Sequence, residues 1–257
     1  MNLLLSAAAS DNLLLQAVNI FIKYKSLFWY GVKITLLISL TGTVIGLLVG
    51  LVVGGLRAME IEPRDPAPVK LFKKLWAVLS TIYVEFFRGT PMIVQAVFMY
   101  YGLKPMLHWE PIPAAIFIIS INTGSYMAEI IRAGIQSVDK GQIEAARSIG
   151  MTSIQTMRYV VMPQAIKNSF PSIGNEFVVN IKDSSVLNAI SVTELYFQSN
   201  SIAGSIFKFK ETFLVTCFIY LILTFTTTRI LYYIEKRLRM PRSSFPASQT
   251  VNEVNHL

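Results

Sequence analysis

Residues 34–56 read ITLLISLTGTVIGLLVGLVVGGL, twenty-three positions without a charge, rich in Gly and β-branched side chains and closed by Arg57. A helix that crosses the ~30 Å hydrocarbon core of a bilayer needs roughly 20 mostly apolar residues. The stretch is therefore read as a transmembrane span, and comparable stretches follow it. Residues 75–103 hold a second span, whose early part carries Glu85 and Arg88 before a Gly89-Thr90-Pro91 break. The apolar part beyond that break is too short to cross alone. Residues 111–128 give a third span of 18 uncharged positions, and residues 168–193 hold a fourth that carries Glu176, Lys182 and Asp183. A fifth runs over 212–233 and stops at Glu235-Lys236-Arg237. The expected fold class is an all-α integral membrane protein of about five transmembrane helices.

Composition points the same way. Of 257 residues, 53% are hydrophobic and 15% charged, with a mean hydropathy of +0.51, which is too apolar for an ordinary soluble domain. The formal net charge is +8, but the basic residues are scattered through the polar segments between spans rather than gathered on one face, which argues against nucleic acid as a partner. Cys217 is the only cysteine and lies in an apolar run, and His108 and His256 are isolated, so neither a disulfide framework nor a metal site is expected. Residues 1–22 are apolar but open without a basic region and include Asp11 and Asn12, which makes a poor signal peptide. Residues 1–29 are expected to lie at the membrane interface, and residues 240–257 to form a disordered cytoplasmic tail.

Orientation comes from Lys and Arg, which are enriched in cytoplasmic loops. The segment 57–74, read as an irregular loop around Pro63, Pro66 and Pro68, carries five basic residues, and segments 129–167 and 235–242 are also rich. The turn 104–110 has one and the segment 194–211 has two. The rich segments are assigned to the cytoplasm, which puts the N-terminus outside and the C-terminus inside. Lys23, Lys25 and Lys33 fall on the outer side and run against the rule.

Inside the long inner segment, residues 141–150 read as a short helix that Asp139 can cap and Gly150 can end. A second short helix has Thr152 as cap with Gln155 three residues on, and is expected to stop before Pro163. Two capped helices in an inner loop suggest a rigid docking element, with an ordinary solvated connector as the competing reading.

Glu144-Ala145-Ala146, then Gly150 after three residues and Val160-Val161-Met162-Pro163 after nine more, resembles the EAA loop of ABC importer permeases. The family pattern ends in Ile-x-Leu-Pro, from which Val160 and Met162 depart conservatively. EFFRGTPM at 85–92, INTGSYMAEIIR at 121–132, Pro163-Gln164-Ala165, Gly174-Asn175-Glu176-Phe177 and IKDSS at 181–185 resemble the polar amino acid branch of that family. Together they cover about 30–239, the expected transmembrane domain, with the EAA loop at about 139–163. The resemblance implies the type I importer permease fold and a helix, here about Glu144 to Gly150, that inserts into a groove of an ABC ATPase subunit. Ala145 and Ala146 allow close approach, and Glu144 and Arg147 offer polar contacts. It also implies an ATPase dimer inside, a second permease subunit, identical or not, and a solute-binding protein outside, in the plasma (inner) membrane. The chain has no Gly-x4-Gly-Lys-Ser/Thr phosphate loop, so no cofactor is expected on it; ATP belongs to a partner subunit. No residue need be catalytic.

Ionisable groups at bilayer depth are functional candidates by default. In a regular helix Glu176 and Asp183 share a face, with Lys182 about 100° away. An amino acid zwitterion needs anionic acceptors for its ammonium and a cation for its carboxylate. Glu176 and Asp183 suit the first, Lys182 the second, and Ser184 and Ser185 add hydroxyls. Thr90 and Pro91 at the break, with Gln95 about a turn further on, are placed on the same cavity. A structural ion pair is the competing reading for the three charges. Glu85 with Arg88, and Glu129 with Arg132, are read as structural pairs, and the aromatic run at 98–101 as packing. An ion-gradient-driven secondary amino acid transporter is the alternative function, but no inverted repeat of span lengths is visible. A membrane-embedded enzyme lacks any supporting motif.

Overall fold

A computed structural model of the chain describes residues 2–58 and 65–237, with side chains from residue 13 onward. The tail expected at 240–257 and the loop proline Pro63 lie outside the described residues. Every regular element described is helical: α1 (Asn2–Arg57), α2 (Ala67–Gly89), α3 (Met92–Leu107), α4 (Pro111–Gln136), α5 (Lys140–Ser148), α6 (Ser153–Thr156), a π-helical turn (Met157–Val161), α7 (Met162–Asp183), a 3-10 helix (Ser184–Ile190), α8 (Leu195–Ile206) and α9 (Phe209–Arg237). Three of these, α1, α4 and α9, are long and apolar enough to cross a membrane by length and composition.

The first span is part of a longer helix. α1 runs unbroken through residues 30–57 and continues backwards past a single non-helical residue, Tyr24, into the N-terminal segment. That segment buries Ala17 and Ile20 in one cluster with Phe28, Val32, Leu195 and Val215. Along its second half, α1 packs on α4 more extensively than any other pair of helices touches. Gly42, Gly46, Gly50 and Gly54 recur every four residues and meet Ile119, Thr123, Met127 and Ala128. Without side chains on that stripe the two backbones come together, the small-xxx-small packing that replaces hydrophobic burial inside lipid.

Several expected boundaries shift, each for a local reason. The irregular loop expected over 57–74 ends early, because α2 starts at Ala67: Pro68 sits in the first turn, where its missing N–H costs nothing, so Lys70, Lys73 and Lys74 are helical. α3 extends to Leu107, shortening the turn expected at 104–110, and α4 continues beyond Ala128 to Gln136. The segment 194–211 is not a plain loop but contains α8. Glu194 has its carboxylate buried, accepting from the N–H groups of Tyr196 and Phe197 (2.8 Å each) and from the Tyr220 hydroxyl (3.0 Å), so a residue that reads as a loop charge is an N-cap.

Pro163 does not end a helix. From Ser153 the chain stays helical to Asp183, with the π-helical turn inserted just before the proline. An extra residue in that turn lets the Met162 N–H reach the Met157 carbonyl and keeps the proline ring out of an α-helical carbonyl's way, which places Pro163 in the first turn of α7. The fourth span is likewise not one regular helix through Thr193: α7 ends at Asp183 and tightens into the 3-10 helix.

Candidate functional site

The candidate docking loop is built by its caps. Asp139 occupies the N-cap of α5, but its side chain makes no capping bond. The other end is firmly closed. Gly150 adopts φ +87°, its N–H reaches the Arg147 carbonyl (3.0 Å), and the Met151 N–H reaches Ala146 (3.2 Å), a Schellman arrangement that only a residue tolerant of positive φ permits. Two residues later Thr152 and Gln155 form a reciprocal capping box. Ile131, Ile135, Val138, Val161 and Ala165, with Ile143 and Met157 against them, anchor the loop on the end of α4. Of the residues expected to dock, Glu144, Ala145, Arg147 and Gly150 are exposed, whereas Ala146 is buried in the loop's own packing. Sequence reasoning missed Ile149 and Ile154, which are 80% and 77% exposed beside α5 and leave an apolar surface uncovered among the described residues.

α7 carries the second group. Glu176, Asn180 and Asp183 follow each other at i, i+4 and i+7 and so share one face. Asn180 is buried and fully engaged: its Nδ2 donates to Thr43 Oγ1 (2.8 Å), its Oδ1 accepts from Thr123 Oγ1 (3.1 Å), and its carbonyl accepts from Ser39 Oγ (3.0 Å). These bonds tie α7 to α1 and α4. Glu176 and Asp183 flank this anchor, half-buried, and neither makes a hydrogen bond or ion pair among the described residues. Glu176 and Asp183 repel one another across this face, while Arg88, at the end of α2, attracts Glu176 and Lys182 attracts Asp183. Lys182 is exposed. Ser184 and Ser185 turn their hydroxyls back to the carbonyls of Ile181 (2.9 Å) and Lys182 (2.7 Å).

The break between α2 and α3 is a third, separate group. Thr90 and Pro91 are both extended, which leaves the last carbonyls of α2 without helical donors. Gln95 supplies one: its Nε2 lies 2.9 Å from the Phe87 carbonyl, 3.0 Å from the Thr90 carbonyl and 2.7 Å from Thr90 Oγ1, while its Oε1 accepts from Asn122 Nδ2 (2.9 Å). Gln95 is buried and its amide is occupied by the chain itself; Pro91 is exposed. Adjacent residues of α4 link the groups, Asn122 to the break and Thr123 to Asn180. Asn122, Thr123 and Asn180 were legible only as polar residues inside apolar spans.

Of the two expected structural pairs, Glu129–Arg132 forms (2.8 Å) and is joined by Arg57 from α1. Glu85 and Arg88 do not pair; the Arg88 guanidinium lies instead over the Tyr126 ring, 5.4 Å from its centroid. Two concavities of about 510 and 290 Å³ lie beside the N-terminal half of α1 and include none of the candidate substrate residues.

Comparison with known proteins gives this arrangement its family. Residues 67–240 match the family described as binding-protein-dependent transport system inner membrane component. The chain is 34% identical over 214 residues to the glutamine transport system permease protein GlnP of Escherichia coli strain K12, covering 82% of this chain and 92% of that one. It is 30% identical to the arginine transport system permease protein ArtQ of Bacillus subtilis strain 168, over 81% and 91%. The crystal structure of an amino acid ABC transporter with histidines superposes with a TM-score of 0.73 at 38% identity, covering 84% of this chain and 96% of that one. The type I ABC importer permease fold is thereby established, and the chain belongs to the binding-protein-dependent transport system inner membrane components: it is the membrane permease subunit of an ATP-driven importer, a transport component and not an enzyme.

Proposed function

We propose that this permease carries polar amino acids and that Glu176 and Asp183 are the groups that meet the substrate. The observation that carries the reading is the pair of half-buried carboxylates without partners, held on one face of α7 by the Asn180 anchor between them. A buried unpaired carboxylate is costly, and a substrate ammonium would offset that cost. Lys182, exposed one residue from Asp183, serves the substrate carboxylate. Ser185, Thr90 and Pro91 border the path, Gln95 holds the break open from behind, and Ser184, fully buried with its hydroxyl on the Ile181 carbonyl, lies away from it. The relatives named for glutamine and arginine support polar amino acids as the class.

In this reading the chain crosses the inner membrane five times, N-terminus outside and C-terminus inside. It pairs with a second permease subunit, across which the carboxylates face, so that the site is complete only in the pair. A solute-binding protein delivers substrate from outside, and an ATPase dimer receives α5 from inside. Family membership leaves nothing in favour of an ion-gradient-driven transporter.

The test is ATP-dependent uptake of labelled amino acids in proteoliposomes holding the permease, its ATPase and its binding protein. Asp183→Asn and Glu176→Gln should leave the complex assembled and ATP hydrolysis intact while raising the KM for uptake. Glu144→Arg should detach the ATPase and abolish uptake. Unchanged uptake in both carboxamide variants, or uptake without the ATPase, refutes the assignment.

A further inference from the structure

The larger of the two concavities is a groove between the N-terminal half of α1 and the middle of α9. Trp29 and Val32 of α1 and Ile222 and Leu223 of α9 are among its apolar walls, and Lys25 and Ser26 are its polar groups. Its wall on α1 runs over residues 21–32, roughly 17 Å at 1.5 Å per residue, long enough to lie along much of one acyl chain in a ~30 Å hydrocarbon core. Lys25, Trp29 and Lys33 stand at i, i+4 and i+8 on one stripe, and the Lys33 ammonium folds back over the Trp29 ring, 5.7 Å from its centroid. Lys23 adjoins them at the Tyr24 bend, over the Tyr24 ring.

Charge decides the occupant. Three lysines fall within eleven residues of a helix that has no Asp or Glu from residue 13 to residue 58. No carboxylate lies within 4 Å of any of them among the described residues. A wholly apolar groove would take any acyl chain, but a groove with the Lys25 ammonium in its wall and the Lys33 ammonium over the Trp29 ring beside it selects the headgroup as well. The same lysines are the ones that run against the cytoplasmic bias of basic residues, and an anionic headgroup supplies the counter-charge that the protein lacks.

We propose that this groove is a site for an anionic phospholipid, its acyl chain lying against Val32, Ile222 and Leu223 and its phosphate held by Lys25 and Lys33. The site is independent of the substrate assignment.

The test is native mass spectrometry of the permease–ATPase complex after partial delipidation, exposed to equal amounts of phosphatidylglycerol and phosphatidylcholine with identical acyl chains. The wild-type complex should retain phosphatidylglycerol in preference, and Lys25→Gln with Lys33→Gln should remove the preference, about fivefold for each lysine. Lys25→Arg with Lys33→Arg should keep it. Ile222→Trp, an exposed wall position that fills the groove without altering a charge, should reduce retention of phosphatidylglycerol. Equal retention of both lipids by the wild type, no retained lipid, a preference that survives both glutamine substitutions, or one indifferent to Ile222→Trp each overturns the proposal.

Discussion

Replacing Gly50 by Ala tests how α1 and α4 are held together. A Cβ built at Gly50 would stand 2.7 Å from the Met127 carbonyl carbon and 2.9 Å from the Ala128 nitrogen, with the Met127 Cβ closer still. Carbon atoms pack comfortably at about 3.5–4.0 Å, so the helices would have to part by about 1 Å, and a gap of that size forfeits up to half the dispersion energy along the seam. Two of these neighbours are backbone atoms, which cannot turn aside. Overpacking of this kind costs about 1–3 kcal/mol, against a gain in helix propensity for Ala over Gly of about 1 kcal/mol. Gly55→Ala separates the two, because a Cβ there meets nothing within 4 Å and collects the propensity gain alone. The difference between the variants is then the packing cost, about 2 kcal/mol at the middle of its range. At roughly 2–4 °C per kcal/mol for a chain of this size, Gly50→Ala should melt roughly 4–8 °C below Gly55→Ala. Circular dichroism at the helix band of the purified chain in detergent measures it. If Gly50→Ala melts with or above Gly55→Ala, the seam is not close-packed as described.

Three further substitutions probe the other elements. Ile149→Ser removes an exposed apolar side chain from the docking surface; burying an isoleucine is worth about 1.5–3 kcal/mol, so affinity for the ATPase, measured by titration of the purified subunits, should fall at least tenfold while the melting point of the permease stays put. Gln95→Leu strips the break of its donor, leaving the Thr90 carbonyl unsatisfied and the Phe87 carbonyl with only the long contact from Asn122 Nδ2 (3.4 Å), which should lower stability by about 1–3 kcal/mol in the same melt. Glu129→Gln weakens the charge pair to Arg57 and Arg132 at the α1–α4 end; its side chains are partly exposed, so the loss should stay near 1 kcal/mol, and a loss several times larger would mean that the cluster, not the glycine seam, holds the two helices.

The spans carried by α1, α4 and α9 were legible because hydrocarbon imposes length and apolarity on them, and the loop was legible where a single residue has a strong backbone preference. Gly150 and the Thr152–Gln155 box are read directly from residue type, and the Gly89-Thr90-Pro91 break likewise. What escaped depends on a partner distant in sequence. Asn180 is one polar residue in an apolar span until Thr43 and Thr123 arrive beside it, 137 and 57 residues away in the chain. Glu194 is a loop charge until Tyr220 shows it to be a buried cap. Pro163 stops an ordinary helix, and only the π-helical turn before it lets the helix run on. Nothing in the identity of Met157 to Val161 announces that turn. The exposed state of Ile149 and Ile154 is equally silent in sequence, since an isoleucine reads the same in a core and at an interface.

That continuous helix links the docking loop to the candidate site. From the Thr152 cap to Asp183 the backbone is helical over residues 153–183, roughly 45 Å at 1.5 Å per residue, so Ile154 of the candidate docking surface and the two candidate substrate carboxylates lie on one rod, which α5 joins through the turn at Gly150. The rod's one irregular point is the π-helical turn, where the hydrogen-bond ladder is already re-registered and bending costs least. On the far side of that turn the rod is pinned to α4 through Ser169, whose hydroxyl donates to the Ile130 carbonyl (3.2 Å), and through the close approach of Gly134 to the Ala165 carbonyl and Ser169. It is pinned again at Asn180. Bending is therefore expected between Met157 and Val161 rather than between α4 and α7, which the contacts at Ser169, Gly134 and Asn180 hold together with Glu176 and Asp183 on the α7 face.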